Sequence, residues 1–437
     1  MRIPPFIRRV VFALLAATAV VLRAQPVVNT EQDKPQVPQA VKEKDSFSLP
    51  SPPPQAGNPF KWGDFEVRPF VTDRFVYSDG ILSGTGHPTN TYINSLSTGF
   101  QLNAGKHWLV EYSPTWMVYT NRQFNNSVDH RLHAGGGLEI GNWFFKVDEQ
   151  YTSTNSPRIE TASQVKQDVT TTVLSLSHRL GQYLTIEITG AQTLQFIEKS
   201  PDYYDWSTQD WLSYRIAARL DLSVGYRLGY TDFDPGAFMI SSQRMARLRW
   251  RPTDKITFAA TGGREHRKVH KQGIAAEDSP TFDLSMDYQP FDHTKVSLSG
   301  NKSVRPSFFE NGVTKSKSWN VELEQRLLGK LTLTAGYGQE WSHFLGSHRI
   351  FIPSVSYEDI LDDDGNVIGT LTITNYNPAT AIDRRNDAID TFHARLSLPV
   401  LRRGTLAVIY QRLHDESTKA GYSFTSNQVG CEFSYKF

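Results

Sequence analysis

The residues of this chain with chemistry to offer are charged groups set at even spacings. Arg215 and Arg219, then Arg227, then Arg247 and Arg249 fall in three successive segments, and Asp283 and Asp287 and then Glu322 and Glu324 follow. Within each pair the separation is two or four residues, which on a β-strand puts both side chains on one face. The chemistry this supports is electrostatic. Guanidinium groups on one wall, with carboxylates obliquely across from them, would orient polar solutes in a transverse field, as charged rings do in pores. The other reading is that the same residues solvate a wide lumen and pair with neighbours on adjacent strands.

Covalent chemistry finds little support. There is no Gly-x-Ser-x-Gly elbow, His-Glu-x-x-His, Cys-x-x-Cys or phosphate loop, so no enzyme is expected. Asp129-His130 is the one candidate acid–base pair, with His130 as an ordinary rim residue the plainer reading. The run Asp362-Asp363-Asp364-Gly365 lacks the alternating ligands and closing Glu of a calcium loop and reads as a solvated turn. No metal or cofactor is called for.

Composition narrows the class of chain that must position these charges. The 437 residues carry Lys+Arg 46 against Asp+Glu 45, so no general electrostatic attraction to nucleic acid follows. A mean hydropathy of -0.42 leaves no room for a bundle of transmembrane helices. The single Cys431 excludes an intramolecular disulfide. Tyr 18, Phe 25 and Trp 9 are spread along the chain, as suits strands.

Residues 1–24 have Arg2, Arg8 and Arg9 ahead of an apolar run from Val10 to Leu22, the pattern of a secretory signal peptide cut after Ala24. That run is too short to cross a bilayer as a helix. Residues 25–62 are rich in proline, with Pro52-Pro53-Pro54 at their densest, and read as an extended periplasmic tether.

From residue 63 the period changes to two. Trp108, Val110, Tyr112, Trp116 and Val118 alternate with Leu109, Glu111, Ser113 and Thr115, and Phe282, Leu284, Met286 and Tyr288 alternate with Asp283, Ser285, Asp287 and Gln289. Eighteen such segments are countable up to Phe437, with sixteen as the alternative. Their connections alternate between tight turns, such as Gly105-Lys106, Gly141-Asn142 and Leu328-Gly329, and longer polar stretches, such as 153–163, 199–205, 265–278 and above all 343–387. A transmembrane antiparallel β-barrel has this rhythm, with short periplasmic turns and long extracellular loops. In hydrocarbon a sheet must close on itself to pair every backbone group. An even strand number also leaves both ends of residues 63–437 on the periplasmic side.

Aromatics near segment ends suit interfacial girdles: Trp108, Trp143, Tyr183, Trp250 and Phe437 on one rim, Tyr92, Trp116, Tyr151, Trp211, Tyr230 and Trp341 toward the other. The last segment puts Val429, Cys431, Phe433, Tyr435 and Phe437 on one face. Phe433, Tyr435 and Phe437 resemble the carboxy-terminal signal read by the barrel assembly machinery of the outer membrane.

The opening "DFEVRPFVTDRFVYSDGIL" and the following "LSTGFQLNAGKHWLVEYSPTWMVYTN" resemble the first hairpins of the β-barrel porin 2 group of outer-membrane proteins. Repeated hairpins continue that resemblance less specifically to Phe437. This chain has Asp79-Gly80 where the group commonly has an aspartate-asparagine pair. Many members are linked to exopolysaccharide gene clusters, which implies an export or secretion role, and the group supplies no catalytic residues.

The expectation is therefore a bacterial outer-membrane barrel of residues 63–437, surrounded by lipid and passing small polar solutes or saccharides by diffusion. An exopolysaccharide-associated export channel is the first alternative. A structural barrel whose lumen is plugged by the 343–387 loop is the second. Homo-oligomerisation is left open, since no segment reads as an interface strand.

Overall fold

The computed structural model describes residues 60–437 apart from 106, 159–162, 199–201, 234–236, 271–275, 307–312 and 362–366. The expected signal peptide and nearly all of the expected tether lie outside the described residues. The strands are β1 Phe60–Trp62, β2 Phe65–Leu82, β3 Pro88–Ala104, β4 Trp108–Tyr119, β5 Ser127–Ile140, β6 Trp143–Arg158 and β7 Ser163–Leu180. Then come β8 Leu184–Ile197, β9 Tyr203–Ala217, β10 Leu220–Phe233, β11 Ala237–Thr253, β12 Ile256–His270 and β13 Glu277–Phe291. The last are β14 Thr294–Pro306, β15 Val313–Leu327, β16 Leu331–Leu361, β17 Val367–Pro399, β18 Gly404–Ser417 and β19 Phe424–Lys436.

Each strand from β2 onward pairs antiparallel with the next, and β19 closes on β2 from Asn427↔Asp79 to Lys436↔Phe70. The eighteen strands β2–β19 are thus a closed antiparallel barrel with no free edge, which is the condition for a sheet to stand in hydrocarbon. The short β1 folds back on the foot of β2, with Trp62↔Phe65 and Phe60↔Val67, so the last three residues expected in the tether are strand instead.

Alternation decides what each face meets. Trp116, Val118, Ile188, Val224, Leu228, Leu406, Val408 and Val429 stand exposed on the outside, 42–56% accessible in a chain without lipid, as an apolar belt requires. The opposite residues of the same strands are Ser, Thr, Gln, Asp, Glu and Arg, many of them enclosed: Ser97, Thr115, Ser223 and Gln428 are buried. The polar layer is therefore inside and the apolar layer outside, the inverse of a water-soluble sandwich. The architecture is that of an outer-membrane β-barrel.

The strands run further at the long-loop end than alternation of apolar residues suggests. β6 reaches Arg158, which pairs with Ser163 at the start of β7, inside the stretch expected as loop. β12 likewise continues to His270. Above the apolar belt nothing forces a period of two in hydropathy, but lateral hydrogen bonding still satisfies the backbone, so polar sequence stays in the ladder.

The segment 343–387 is the largest case, and it corrects the expectation of a loop. β16 and β17 have 31 and 33 residues and stay in register from Thr332↔Ser397 out to Ile360↔Gly369. The neighbouring strands stop at Val313↔Leu345 and Asp387↔Ser417. Beyond those points the pair continues as a two-stranded ribbon. The expected turn at Asp364-Gly365 lies outside the described residues, between the paired Leu361 and Val367.

Candidate functional site

The lumen wall is built by the inward residues of the barrel. On the basic side the ladder registers Arg215 of β9 opposite Asp221 of β10, and Asp221 opposite Arg249 of β11. One row further out, Ser213, Ser223 and Arg247 lie side by side, and the next row holds Trp211, Gly225 and Met245. By register Arg215, Arg227, Arg247 and Arg249 thus share one face of the sheet, the inner one.

Arg219 does not join them. It falls between β9 and β10, in the turn, where it donates to Asp254 Oδ1 at 3.0 Å and to the Pro252 carbonyl at 3.3 Å. The physical reason is that β9 ends at Ala217, earlier than hydropathy alone suggests, so Arg219 belongs to the rim.

The arginines on the wall are closely paired. Arg215 Nε donates to Asp221 Oδ1 at 3.3 Å. Arg247 Nη2 reaches Glu187 Oε2 on β8 at 2.9 Å, and Arg249 Nη1 lies 3.8 Å from Glu187 Oε1. Only 9% of the Arg247 side chain is accessible. Its guanidinium lies 4.2 Å from the centre of the Trp211 ring, a cation–π contact. Ser213 and Ser223, hydrogen-bonded to each other at 2.8 Å, are small enough to let the arginine pass over them. Trp211 in turn lies flat on Gly225: a Cβ there would meet Trp211 Cε3 at 2.4 Å and the Asp210 carbonyl at 2.8 Å. Arg227 donates to Ser207 Oγ at 3.3 Å.

This geometry corrects the placing of Trp211 in an aromatic girdle. At 4% exposure it faces inward, whereas Trp108, Trp116, Trp143, Tyr183, Tyr230, Trp250, Trp341 and Phe437 are exposed. Trp211 shares the odd-numbered face of β9 with Ser207, Ser213 and Arg215, and that parity was open to reading.

The acidic residues follow two to four strands further round. Asp283 on β13 is opposite Thr261 and Asn301, and Asp287 is opposite Thr257 and Ser297. Glu322 and Glu324 on β15 are opposite Ser297 and Lys295. Asp287 accepts from Ser297 Oγ at 2.6 Å and lies 3.3 Å from Lys295 Nζ. Glu322 lies 3.4 Å from His393 Nε2. Asp283 and Glu324, both exposed, have no hydrogen-bond or ion-pair partner among the described residues. The lumen therefore carries local ion pairs on most of its wall, with free carboxylates along β13 and β15.

Elsewhere on the wall His133 Nε2 lies 3.2 Å and Lys146 Nζ 3.9 Å from Asp148, Arg68 lies 3.2 Å from Glu66, and Arg395 lies 2.7 Å from Glu432. Asp129 and His130 do not form an acid–base pair. Asp129 is buried inside the barrel, accepting from Ser127 Oγ and the Asn155 amide, while His130 lies outside against Tyr112 Oη at 3.0 Å. Consecutive strand residues point to opposite faces, which forbids the pairing.

The outer end of the lumen holds structure that hydropathy did not announce. After a bulge between Ser78 and Ile81, the tip of β2 turns so that Ile81 and Leu82 line a crevice with Pro157 and Arg158 of β6 and with Leu413, Phe424, Ser426 and Gln428 of β18 and β19. Four strand spacings separate β2 from β6, roughly 20 Å along the wall, so their contact requires these tips to lean inward. Ile81, Ile93, Met117, Tyr119 and Phe124 form a buried apolar cluster beside it. The connections are tied together: Gln123 Oε1 accepts from Ser83 and Thr89, Gln164 bridges the Asn125 and Asn155 carbonyls, and the Gly86 amide donates to the Gly421 carbonyl at 2.7 Å. Gly80 explains the departure at Asp79-Gly80. Its φ is +68° and a Cβ would lie 2.0 Å from the Thr425 carbonyl, while Asp79 accepts from the Asn427 amide.

On the same end Arg385, fully buried, donates from Nε and Nη2 to Asp387, the shortest contact being 2.6 Å, and is stacked 4.2 Å from both Phe344 and Tyr422. At the other end, Phe433 stands exposed to the outside, and the Phe437 amide donates to the Pro69 carbonyl at 3.0 Å with its ring 5.0 Å from that of Tyr435.

No family model and no curated protein matches the chain, so the likeness of its first hairpins to the porin 2 group stays a resemblance. Among solved structures it is similar to OccAB3 of Acinetobacter baumannii, at 10% identity and a TM-score of 0.42, covering 85% of this chain and 99% of that one. It is also similar to the outer membrane protein OpdK of Pseudomonas aeruginosa, at 12% identity and a TM-score of 0.43, covering 85% and 98%. A third is OccK2 (OpdF) of Pseudomonas aeruginosa, solved in complex with glucuronate, at 10% identity and a TM-score of 0.43 with the same coverage. Likeness at this level assigns no residue a role.

Proposed function

We propose that this chain is a channel of the bacterial outer membrane that passes small polar solutes down their gradient. One observation carries the reading: a closed barrel of eighteen strands with an apolar exterior encloses a wall of ion-paired and hydroxyl side chains, from Arg247–Glu187 on β8–β11 to Arg395–Glu432 on β17–β19. A barrel serving only as a scaffold gains nothing from enclosing charges, since their desolvation is costly. Water in the lumen removes that cost and makes the wall a path.

Paired charges give such a path modest selectivity. The basic ladder is largely compensated by Glu187 and Asp221, while Asp283 and Glu324 keep their charge open to the lumen. Solvation of the wall with a mild preference for cations fits this better than a strong transverse field. The inward tips of β2 and β6 narrow the outer mouth and set a size limit. In the same reading residues 1–24 are a leader removed on export, and Phe433, Tyr435 and Phe437 form the signal for barrel assembly.

Swelling of liposomes containing the refolded chain tests this reading. Entry of neutral monosaccharides at rates that fall with solute size is expected. No swelling with any solute, in vesicles shown to contain folded barrel, overturns it.

A further inference from the structure

The outer surface of the barrel carries cations where a lipid-facing wall has no ordinary use for them. On β11 and β12, Arg244 and Arg264 are directly opposite one another, and on β14 and β15, Lys302 and Lys317 are directly opposite one another. Both pairs lie on the outward parity of their strands, one step beyond the apolar residues Ala246, Gly262, Gly300 and Trp319, toward the long-loop end. Like charges directly opposite each other across a sheet repel. The two pairs meet at β13, where Pro280 is opposite Arg264 and Phe282 is opposite Lys302.

Among the described residues, carboxylates relieve this repulsion at only one of the four cations, Arg264. Asp278 takes Arg264 at 3.1 Å and His266 at 2.8 Å, and Glu277 takes Lys315. Arg244, Lys302 and Lys317 have no carboxylate partner among the described residues; Lys317 Nζ sits 5.5 Å over the ring of Trp341. Outward residues toward the same end of β7 and β10 include Asp168 and Asp232, and the outward cations Lys166 on β7 and Arg412 on β18 have no like charge directly opposite, unlike the two pairs on β11–β15. Cations just above an apolar belt, flanked by exposed Phe282 and Trp341, suit a ligand with a negative head and an apolar tail.

We propose that Arg244, Arg264, Lys302 and Lys317 form a binding site for the phosphorylated headgroup of an outer-leaflet glycolipid, whose acyl chains lie along the apolar wall of β11–β15. The occupant is a lipid rather than free phosphate because the site is continuous with the belt. The site rests on the barrel standing in the outer membrane with its long-loop end outward, and not on solute flux through it.

The test measures lipid retained by the detergent-solubilised full chain after incubation with diphosphorylated lipid A, or with the same lipid stripped of its phosphates, and washing. Retention of the phosphorylated form is expected to exceed that of the stripped form. It is expected to fall roughly fivefold for each cation removed in Arg244→Ser, Arg264→Ser, Lys302→Ser and Lys317→Ser. Arg412→Ser, an outward cation on β18, should leave it unchanged. Heat-modifiable migration on gels confirms that each variant is folded, and Lys302→Gln with Lys317→Gln is the fallback should the fourfold variant not fold. Equal retention of the two lipids, or equal retention by the folded variant and the native chain, overturns the site. A conducting barrel indifferent to phosphate would refute the lipid site alone, and a lipid-retaining barrel without conductance would refute the channel alone.

Discussion

Arg247 on β11 and Glu187 on β8 meet at 2.9 Å across two intervening strands, with the arginine lying over Trp211. The contact ties four strands together on the inner wall and cancels a positive charge that would otherwise face the lumen. Replacing Arg247 by Ala leaves Glu187 with only the more distant Arg249. The cation/anion permeability ratio should rise about twofold or more, equivalent to roughly 0.4 kcal/mol. Glu187→Gln should move it the other way. Arg219→Ala should leave it unchanged, because Arg219 sits in the turn with Asp254. Reversal potentials under a salt gradient measure all three, and an unaltered ratio in Arg247→Ala would remove the ladder from any role in selectivity.

Gly225 is required by the ring that covers it. Gly225→Val places side-chain atoms where Trp211 lies and displaces the platform under Arg247. A loss of about 1–3 kcal/mol in the unfolding free energy is expected from overpacking. Urea titration in detergent micelles, followed by tryptophan emission, reads both the stability and the altered surroundings of Trp211.

Arg385 and Asp415 should respond in opposite ways. Arg385→Ala strands Asp387 in a fully enclosed place and should cost about 3–5 kcal/mol. Asp415 is also fully buried, and neither of its oxygens has a hydrogen-bond partner among the described residues. Asp415→Asn removes an ionisable group from an unfavourable place and should leave the barrel as stable as before or more so. Limited proteolysis of the outer end, with urea midpoints alongside, separates the two outcomes.

Deletion of Phe437 should lower the amount of folded barrel in the outer membrane without changing the stability of chain refolded in vitro. Among the described residues it makes one backbone hydrogen bond to Pro69 and one ring contact to Tyr435, too little to govern the fold. Heat-modifiable protein in outer-membrane fractions gives the first quantity and urea unfolding the second. Equal amounts of folded barrel with and without Phe437 would deny it a part in assembly.

The barrel itself was legible because an apolar belt imposes a period of two, as in Trp108 to Val118 or Phe282 to Tyr288, and because tight turns interrupt it at every second strand. The inward placement of Arg215, Arg227, Arg247, Arg249, Asp283, Asp287, Glu322 and Glu324 follows from the same parity. What lay beyond reach has a physical reason in each case. Residues above the belt lose the hydropathy period while keeping the ladder, so the ribbon of β16 and β17 read as a loop. The contact of Arg247 with Glu187 spans 60 residues and two intervening strands, and depends on the small side chains of Ser213 and Ser223, which carry no signal of their own. The leaning tips of β2 and β6 depend on a bulge and on the packing of Ile81 against its neighbours. Trp211 was misplaced because aromatic character outweighed parity.

The central claim is that water and solutes traverse this barrel. Single-channel recording of the refolded chain in a planar bilayer addresses it most directly, comparing the intact chain with one lacking residues 346–385, most of the ribbon that pairs only with itself. Stable conductance in the intact chain, little changed by the deletion, is the predicted result. Absence of conductance in both, from barrels shown to be folded and inserted, would contradict the account and leave a structural barrel in its place.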